Sequence, residues 1–199
     1  MLTRSLYRSF SLRNFQRVSC LTPELASFQE TVSDFSQQVI APYAHSTDVS
    51  DTFPMELWPQ LGEQGLLGVT ADEEYGGLDL GYQAHCLAME EISRASASIA
   101  LSYAAHSQLC VNQLVKYGTK QQKEAYLTGL ISGEIVGALA MSEVGAGSDV
   151  VSMKTKAHKV EGGWTLNGGK MWITNGGMAD MIVVYAKSND SKFIFFYIY

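Results

Sequence analysis

Two short segments hold the residues whose types and spacing could do chemistry. The first, residues 139–149, leaves a predicted strand and enters a loop in which Gly145 and Gly147 lie between Ser142 and Ser148. Glycines let the backbone approach a ligand closely and turn successive N–H groups into one concavity, and the two hydroxyls add donors. Such a loop can hold a diphosphate without lysines, although a glycine-rich connection that binds nothing is the commoner case.

The second segment, residues 170–176, combines an aromatic ring with a hydroxyl. If residues 170–174 form a strand, side chains two positions apart share one face, so Trp172 and Thr174 lie side by side. A flavin ring needs an apolar or aromatic wall and one donor near its reactive nitrogen, and these two side chains could supply both. The alternative, favoured for the segment in isolation, is a core Trp beside a solvent-facing Thr.

The other chemically capable residues form no recognisable catalytic or metal-binding arrangement. The four histidines lack metal-ligand spacing, and His106 lies in a small, apolar stretch that is typical of a buried histidine in a helical bundle. Adjacent acids at 73–74 and 90–91 are explained by solvated helix and loop surfaces. Three widely spaced cysteines predict free thiols rather than a disulfide or zinc site: Cys20, Cys86 and Cys110.

Composition and charge exclude several classes of function. The 199 residues are 46% hydrophobic and 17% charged, which is typical of a globular protein. A formal net charge of −6 argues against nucleic-acid binding. No apolar run approaches the ~20 residues that a membrane-spanning helix needs. Bulk charge does not attract an anionic ligand to an acidic protein, so local backbone donors would have to hold any phosphate.

The first 21 residues differ in composition from the rest and predict a mitochondrial transit peptide. They contain four arginines among serines and apolar residues, and the first acidic residue of the chain is Glu24. An Arg-rich, Ser-rich, acid-poor leader is the signature of mitochondrial targeting. A disordered basic tail is the alternative.

The periodicity of the remaining chain predicts an α+β fold. From residue 22 to 133, apolar residues recur at helical spacing, which predicts an N-terminal all-α helical bundle. Thr22 and Thr119 are the predicted N-caps of its first and last helices. The predicted helices cover 23–41, 54–65, 82–96, 100–117 and 119–130.

From residue 134 to 190 the pattern changes to strands, and we expect a partial antiparallel β-domain. The glycines at 162 and 163 predict a hairpin turn. The predicted strands cover 135–141, 153–160, 164–166, 170–174 and 181–186.

The segments 139–149 and 170–176 resemble the paired flavin signatures of the acyl-CoA dehydrogenases. The resemblance rests on Ala140-Met-Ser-Glu143, Ala146-Gly-Ser-Asp149 and Lys170-Met-Trp-Ile-Thr-Asn-Gly176, which match in order and separation. Upstream, Glu74-Tyr-Gly-Gly77 and Met89-Glu-Glu-Ile-Ser-Arg94 fit the same family. The resemblance covers about residues 22–187, and residues 101–114 and 148–154 are most similar to members that act on short branched substrates.

The resemblance implies FAD as the cofactor, bound between the β-domain and a second helical domain. Ser142 would serve the polar edge of the flavin, Thr174 would lie near flavin N5, and Ser148 would also bind the acyl-pantetheine part of the substrate. Residues 103–109 would shape the acyl pocket. The implied FAD-binding residues are Leu139, Ala140, Met141, Ser142, Glu143, Val144, Gly145, Ala146, Gly147, Ser148, Trp172, Ile173 and Thr174.

The implied reaction is α,β-dehydrogenation of a short branched acyl-CoA in the mitochondrial matrix. A glutamate removes the α-proton while the β-hydrogen leaves as hydride to flavin N5, and electron-transfer flavoprotein then takes the electrons. Hydrogen bonds to the thioester oxygen stabilise the developing enolate charge. The resemblance also implies a homotetramer for the full-length enzyme. The net charge and the lack of a long apolar run predict no nucleic-acid or membrane partner.

Two features depart from the family pattern. Val144 replaces the proline of many relatives, so the loop is expected to be less stiff. After Asp190 the chain reads Ser-Lys-Phe-Ile-Phe-Phe-Tyr-Ile-Tyr, which we interpret as an aberrant apolar tail, residues 191–199. A half-built β-domain with such a tail would leave strand edges unpaired.

Family members continue into more strands and a second helical domain that carries the glutamate base. We therefore expect this chain to lack the catalytic base and the C-terminal helical domain, and to be inactive alone. Glu143 belongs to the flavin loop and is not that base. Two alternatives stay open: a non-enzymatic short product that could partner the full-length subunit, and an oxygen-reacting relative similar to acyl-CoA oxidases.

Overall fold

The computed structural model describes residues 21–188 and the backbone of residues 193–198. The predicted transit peptide, residues 1–21, lies outside the described residues except for Leu21. The α+β fold class is confirmed, because a helical part from residue 22 to 132 precedes a small sheet. None of the helices in the described part is long and apolar enough to cross a membrane.

Seven α-helices build the described residues of the N-terminal part. Two π-helical segments, Ser36–Ile40 and Ala105–Val111, interrupt the helical course, and short 3-10 turns connect several of the helices. The α-helices are α1 (Pro23–Phe35), α2 (Ala44–Ser50), α3 (Leu57–Glu63), α4 (Gly81–Ala95), α5 (Ala97–Ala104), α6 (Asn112–Tyr117) and α7 (Lys120–Ser132).

Local capping explains where three of these helices begin. The Thr22 hydroxyl accepts from the backbone N–H of Leu25 at the start of α1. Ser96 adopts an extended conformation, which ends α4 and lets its side chain cap α5. Thr119 and Gln122 form a reciprocal capping box at the start of α7. The predicted caps at positions 22 and 119 are thus confirmed.

The helix predicted over residues 100–117 is present, but its middle is π-helical and not α-helical. The π-helical segment Ala105–Val111 separates α5 from α6, so the side chains of this stretch are rotated relative to a regular helix. The segment packs directly on strand β1 (Gly137–Ala140): a Cβ on Gly137 would lie 2.5 Å from the Cys110 Sγ atom. The close approach requires glycine at position 137.

Five strands form a mixed sheet, not the antiparallel sheet that the sequence predicted. The strands are β1, β2 (Lys156–Val160), β3 (Gly163–Asn167), β4 (Met181–Lys187) and β5 (Phe193–Ile198). Strand β1 pairs in parallel with β4, with Gly137 opposite Met181. Strand β2 also pairs with β4 in parallel, at one position where Lys156 lies opposite Lys187. The β2–β3 and β4–β5 pairs are antiparallel. The long excursion between β1 and β4, which includes the β2–β3 hairpin, lets β4 return in the direction of β1.

Residues 193–198, which the sequence analysis assigned to an aberrant tail, form a strand of the same sheet. Strand β5 pairs with β4 from Ile182 to Lys187. Because β1 and β2 pair with the other edge of β4, strand β5 covers the edge that would otherwise be open.

The predicted strand over residues 170–174 is absent, since residues 168–180 form turns and irregular backbone. Trp172 has a φ of 59° and Asn175 a φ of 67°, both in the left-handed region. A strand requires a negative φ, so this conformation at position 172 ends any regular pairing. The shared strand face predicted for Trp172 and Thr174 therefore does not exist, and tertiary contacts place the two side chains.

Candidate functional site

The segments 139–149 and 170–176 both contribute side chains to one cavity of about 270 Å³, which lies between the bundle and the sheet. The π-helical segment contributes Ala105 and Leu109. The end of β1 and the residues after it contribute Leu139, Met141 and Ser142, and the irregular segment contributes Met171, Trp172 and Thr174. The cavity thus has mostly apolar walls with two hydroxyls, which suits a flat, largely apolar ligand with a few polar atoms.

Beyond Ser142 the loop makes a tight turn that projects into solvent. The backbone N–H groups of Glu143 and Ala146 each donate to the other residue's carbonyl, at 2.9 and 3.1 Å. Val144 at the tip is 89% exposed, and no residue of the loop packs over it. The turn is closed by its own backbone, so it forms with valine at position 144.

The two loop glycines have free space around them. A Cβ built on Gly145 or on Gly147 would meet no atom within 4 Å, and neither residue has a positive φ. The backbone conformation of this chain therefore does not require glycine at either position. The free space is what a close approach of a ligand to the loop backbone would need.

The carboxylate of Glu143 is engaged within the protein. It accepts hydrogen bonds from the backbone N–H groups of Lys154 and Thr155, at 2.6 and 2.9 Å, and from the Thr155 hydroxyl. Its Oε1 atom also lies 2.9 Å from the Lys170 Nζ atom. Burial opposes ionisation, but these four donors outweigh it and lower the pKa of Glu143 to about 2. Glu143 is therefore a charged anchor of the loop.

Trp172 and its neighbours run beside the end of β1, held by individual hydrogen bonds. The Met171 N–H donates to the Ser142 carbonyl at 3.0 Å. The Asn175 amide donates to the carbonyls of Ser102 and Gly137, at 2.9 and 3.2 Å. Trp172 itself is 85% exposed, so its ring offers an aromatic surface beside the cavity.

Other residues expected at the site lie in different places. Gly147 and Ser148 are exposed and do not line the cavity. Within residues 103–109, only Ala105 and Leu109 line it, whereas Tyr103 and His106 are fully buried. The Tyr103 hydroxyl donates to the Leu66 carbonyl, a bundle contact. His106 is the satisfied bundle histidine that the sequence predicted, with hydrogen bonds at both ring nitrogens.

Among the described residues, no three His, Cys, Asp or Glu side chains come together as a metal site. The two cysteines in this part of the chain, Cys86 and Cys110, are free thiols. Burial raises the pKa of the Cys110 thiol to about 12, so this cysteine is an inert packing residue.

Comparison with known proteins identifies the family. Residues 22–134 match the acyl-CoA dehydrogenase N-terminal domain, and residues 138–198 match the acyl-CoA dehydrogenase middle domain. The chain belongs to the acyl-CoA dehydrogenase family. The middle-domain match runs to residue 198 and so includes β5.

Two curated relatives of the family show which members this chain is similar to. It is 60% identical over 184 residues to the mitochondrial isovaleryl-CoA dehydrogenase of Arabidopsis thaliana, covering 92% of this chain and 44% of the relative. It is 52% identical over 195 residues to the mitochondrial 2-methylacyl-CoA dehydrogenase of Solanum tuberosum, covering 94% and 47%. The chain thus spans less than half of the length of these relatives.

A solved structure of the family has the same fold over the shared part. The glutaryl-CoA dehydrogenase of Mycobacterium smegmatis, in complex with FADH2, superposes with a TM-score of 0.85 at 29% identity. The superposition covers 89% of this chain and 46% of that chain.

Sequence reasoning missed three residues that shape the site. Met171 lines the cavity, while Lys170 and Asn175 fix the two ends of the segment that carries Trp172. Lys170 and Asn175 were visible only as parts of the family signature. Their roles depend on partners about 30 to 70 positions away in sequence, which no local pattern reveals.

Proposed function

We propose that this chain forms the N-terminal half of the FAD site of an acyl-CoA dehydrogenase that oxidises a short branched acyl-CoA. The favoured substrate is isovaleryl-CoA, converted to 3-methylcrotonyl-CoA in leucine catabolism. The observation that carries the proposal is the shared cavity: Ser142 from one flavin signature and Thr174 from the other line it together, beside the exposed ring of Trp172.

The residues present fit FAD in three respects. Trp172 supplies an exposed aromatic surface for a flat ring system. Ser142 and Thr174 supply hydroxyl donors for its polar atoms. The free space around Gly145 and Gly147 leaves room for a diphosphate close to the loop backbone.

When bound, FAD supplies the acceptor for the hydride that leaves the substrate β-carbon. The contribution of this chain is to bind and orient: the apolar residues Leu139, Met141 and Met171 exclude water from one side of the cavity. The hydroxyls of Ser142 and Thr174 offer hydrogen bonds to polar atoms of the ligand.

The base that removes the α-proton has to come from outside this cavity. None of the eight described residues that line it carries a carboxylate or an imidazole. Glu143 is close in sequence, but its carboxylate is held by four donors and its pKa of about 2 makes it a poor proton acceptor at neutral pH. We therefore expect no acyl-CoA oxidation by the 199-residue chain alone.

Substrate choice, location and partners belong to the same proposal. The similarity to a relative named for 2-methylacyl-CoA makes 2-methyl-branched acyl-CoA esters the second candidate substrates. The Arg-rich leader and the mitochondrial relatives support a place in the mitochondrial matrix. Reoxidation by electron-transfer flavoprotein and a homotetrameric full-length enzyme follow from the family resemblance.

The proposed site is tested by titrating FAD into a chain of the relatives' full length that contains these residues, and following quenching of flavin fluorescence. We expect saturable binding at one FAD per chain. A double variant, Gly145→Ala and Gly147→Ala, fills the free space beside the loop and should weaken FAD binding about tenfold, which is about 1.4 kcal/mol. Its unfolding free energy without FAD should stay level or rise by up to about 1 kcal/mol per site, because alanine restricts the unfolded chain.

Gly163→Ala is the matched control. A Cβ on Gly163 also meets no atom within 4 Å and its φ is not positive, but the residue lies on β3, outside the loop of residues 142–148. The control variant should keep the FAD affinity of the original chain. Absence of FAD binding by the unsubstituted chain, or equal FAD affinity in the double variant, would count against the proposed site.

The substrate is tested in a chain of the relatives' full length that contains these residues. Initial rates with isovaleryl-CoA should exceed those with 2-methyl-branched acyl-CoA esters when an artificial electron acceptor replaces the partner protein. The reverse order of rates would favour the second candidate. Hydrogen peroxide formation in place of acceptor reduction would favour an oxidase.

A further inference from the structure

A buried ion pair lies beside the proposed flavin cavity without lining it. The Lys170 Nζ atom is 2.9 Å from the Glu143 Oε1 atom, and both side chains are only 8% exposed. The same ammonium donates to the Met141 carbonyl at 2.8 Å. Neither Lys170 nor Glu143 belongs to the residues that line the cavity, so the pair acts on its walls from the outside.

The pair joins three segments that are distant in sequence. Glu143 receives hydrogen bonds from the backbone of Lys154 and Thr155, which lead into β2. Lys170 joins this carboxylate to the start of the irregular segment and, through Met141, to the end of β1. The carboxylate and the ammonium thus each have further hydrogen-bond partners, as a buried ion pair needs in order to offset its desolvation.

The aromatic side of the cavity depends on such contacts because it has no strand pairing of its own. Between Lys170 and Asn175, the Met171 N–H bond to Ser142 is the backbone link to the neighbouring loop. Trp172 is largely exposed and in the left-handed region. Its position therefore follows from the anchors at the two ends of the segment.

We propose that Lys170, paired with Glu143, is a positioning residue that sets the distance between the Ser142 loop and the segment bearing Trp172 and Thr174. Asn175 holds the other end of the segment on α5 and β1. Lys170 and Glu143 do not touch the flavin in this proposal. The inference rests on the proposed flavin site, since the two cavity walls it aligns are the proposed flavin contacts.

The test compares Lys170→Met, Glu143→Gln and the double variant with the unsubstituted chain. Each single variant should weaken FAD binding about tenfold and change the visible circular dichroism of the bound flavin. The double variant should have the same FAD affinity as the single variant that binds FAD less tightly. The reason is that both substitutions remove the same interaction, so their effects do not add. Lys156→Met and Glu134→Gln make the same charge changes at exposed side chains and should leave both readouts unchanged.

A second readout needs no flavin. Amide hydrogen exchange at Lys154, Thr155 and Met171 should speed up at least tenfold in the single variants, whereas exchange in α4 stays the same. If the unsubstituted chain binds no FAD, the proposed flavin site fails in this chain, and faster exchange at these amides still supports the positioning role. If the FAD affinity, the dichroism and the amide exchange of the single variants all match those of the unsubstituted chain, the positioning role is refuted. The proposed flavin site is not refuted by that result.

Discussion

His106 links three elements at the junction of bundle and sheet, and lowering the pH should break that link. The ring is fully buried in the π-helical segment. Its Nδ1 atom accepts from the Gly137 N–H at 2.9 Å, so the ring proton sits on Nε2 and is donated to the Leu130 carbonyl, also at 2.9 Å. A second proton would place an N–H against that of Gly137.

The size of the effect follows from the pKa. Burial lowers the pKa of His106 from 6.5 to about 4, although the Leu130 carbonyl acts in the opposite direction. Between pH 6.5 and 4, the His106 ring is therefore protonated in the unfolded chain and neutral in the folded chain. The resulting stability is fully present above pH 6.5 and is lost as the pH falls towards 4. The loss amounts to about 2 kcal/mol at pH 5 and roughly 3 kcal/mol at pH 4.

The assay compares the urea unfolding of the original chain with that of the His106→Gln variant at pH 7.5 and at pH 5.0. Unfolding is monitored by far-ultraviolet circular dichroism. The variant should be destabilised by about 2–4 kcal/mol at pH 7.5, because glutamine removes the ring that packs against Trp58 and does not hold its amide oxygen and nitrogen at the positions of Nδ1 and Nε2. At pH 5.0 this difference should shrink by about 2 kcal/mol, because the original chain has lost the contribution of the neutral ring.

Two comparisons keep the His106 experiment specific. His85 has a pKa lowered by burial to about 4, but it is present in both proteins and cancels in the difference. His158→Gln on exposed β2 should change stability by less than about 0.5 kcal/mol at either pH. A destabilisation by His106→Gln that is the same at pH 7.5 and 5.0 would refute the reasoning. If the variant does not fold, an NMR titration of His106 in the original chain replaces it, and a pKa at or above 6.5 would be the contrary result.

Two further substitutions test the fold by the same unfolding assay. Gly137→Ala places a Cβ 2.5 Å from the Cys110 Sγ atom and should lower the unfolding free energy by about 1–3 kcal/mol. The control Gly163→Ala should leave it unchanged. Equal stability of the two variants would show that β1 does not need the close approach. Thr119→Ala removes the hydroxyl that accepts from the Gln122 N–H and should cost about 1 kcal/mol of unfolding free energy. Its control is Thr31→Ala at an exposed position of α1, and an equal cost in the control would contradict a specific role of the cap.

Much of the fold could be predicted because its signals are local. Thr22 and Thr119 accept hydrogen bonds from N–H groups three residues away, so the sequence next to them determines where α1 and α7 begin. The Gly162–Gly163 turn likewise joins two adjacent strands, and the predicted hairpin is present. The family signatures indicated that Ser142 and Thr174 serve one site, and both line the same cavity.

The local conformation at the site could not be predicted, because its partners are distant in sequence. Trp172 lies in a segment with strand-like composition, but contacts of Lys170 with Met141, and of Asn175 with Gly137, impose a left-handed turn there. Glu143 is a member of the flavin signature by sequence, yet its partners at 154, 155 and 170 make it an anchor.

The sequence by itself determined the starts of α1 and α7, the hairpin, the order of the helical and β-rich parts, and the family. These depend on caps, glycines and hydrophobic period within a few residues. Only the tertiary structure decided the parallel pairing of β1 with β4, the π-helical turn against Gly137, and the shape of the segment around Trp172. Each of these depends on close packing and hydrogen bonds between residues 25 or more positions apart, whose free energies outweigh the weak local preference of the backbone.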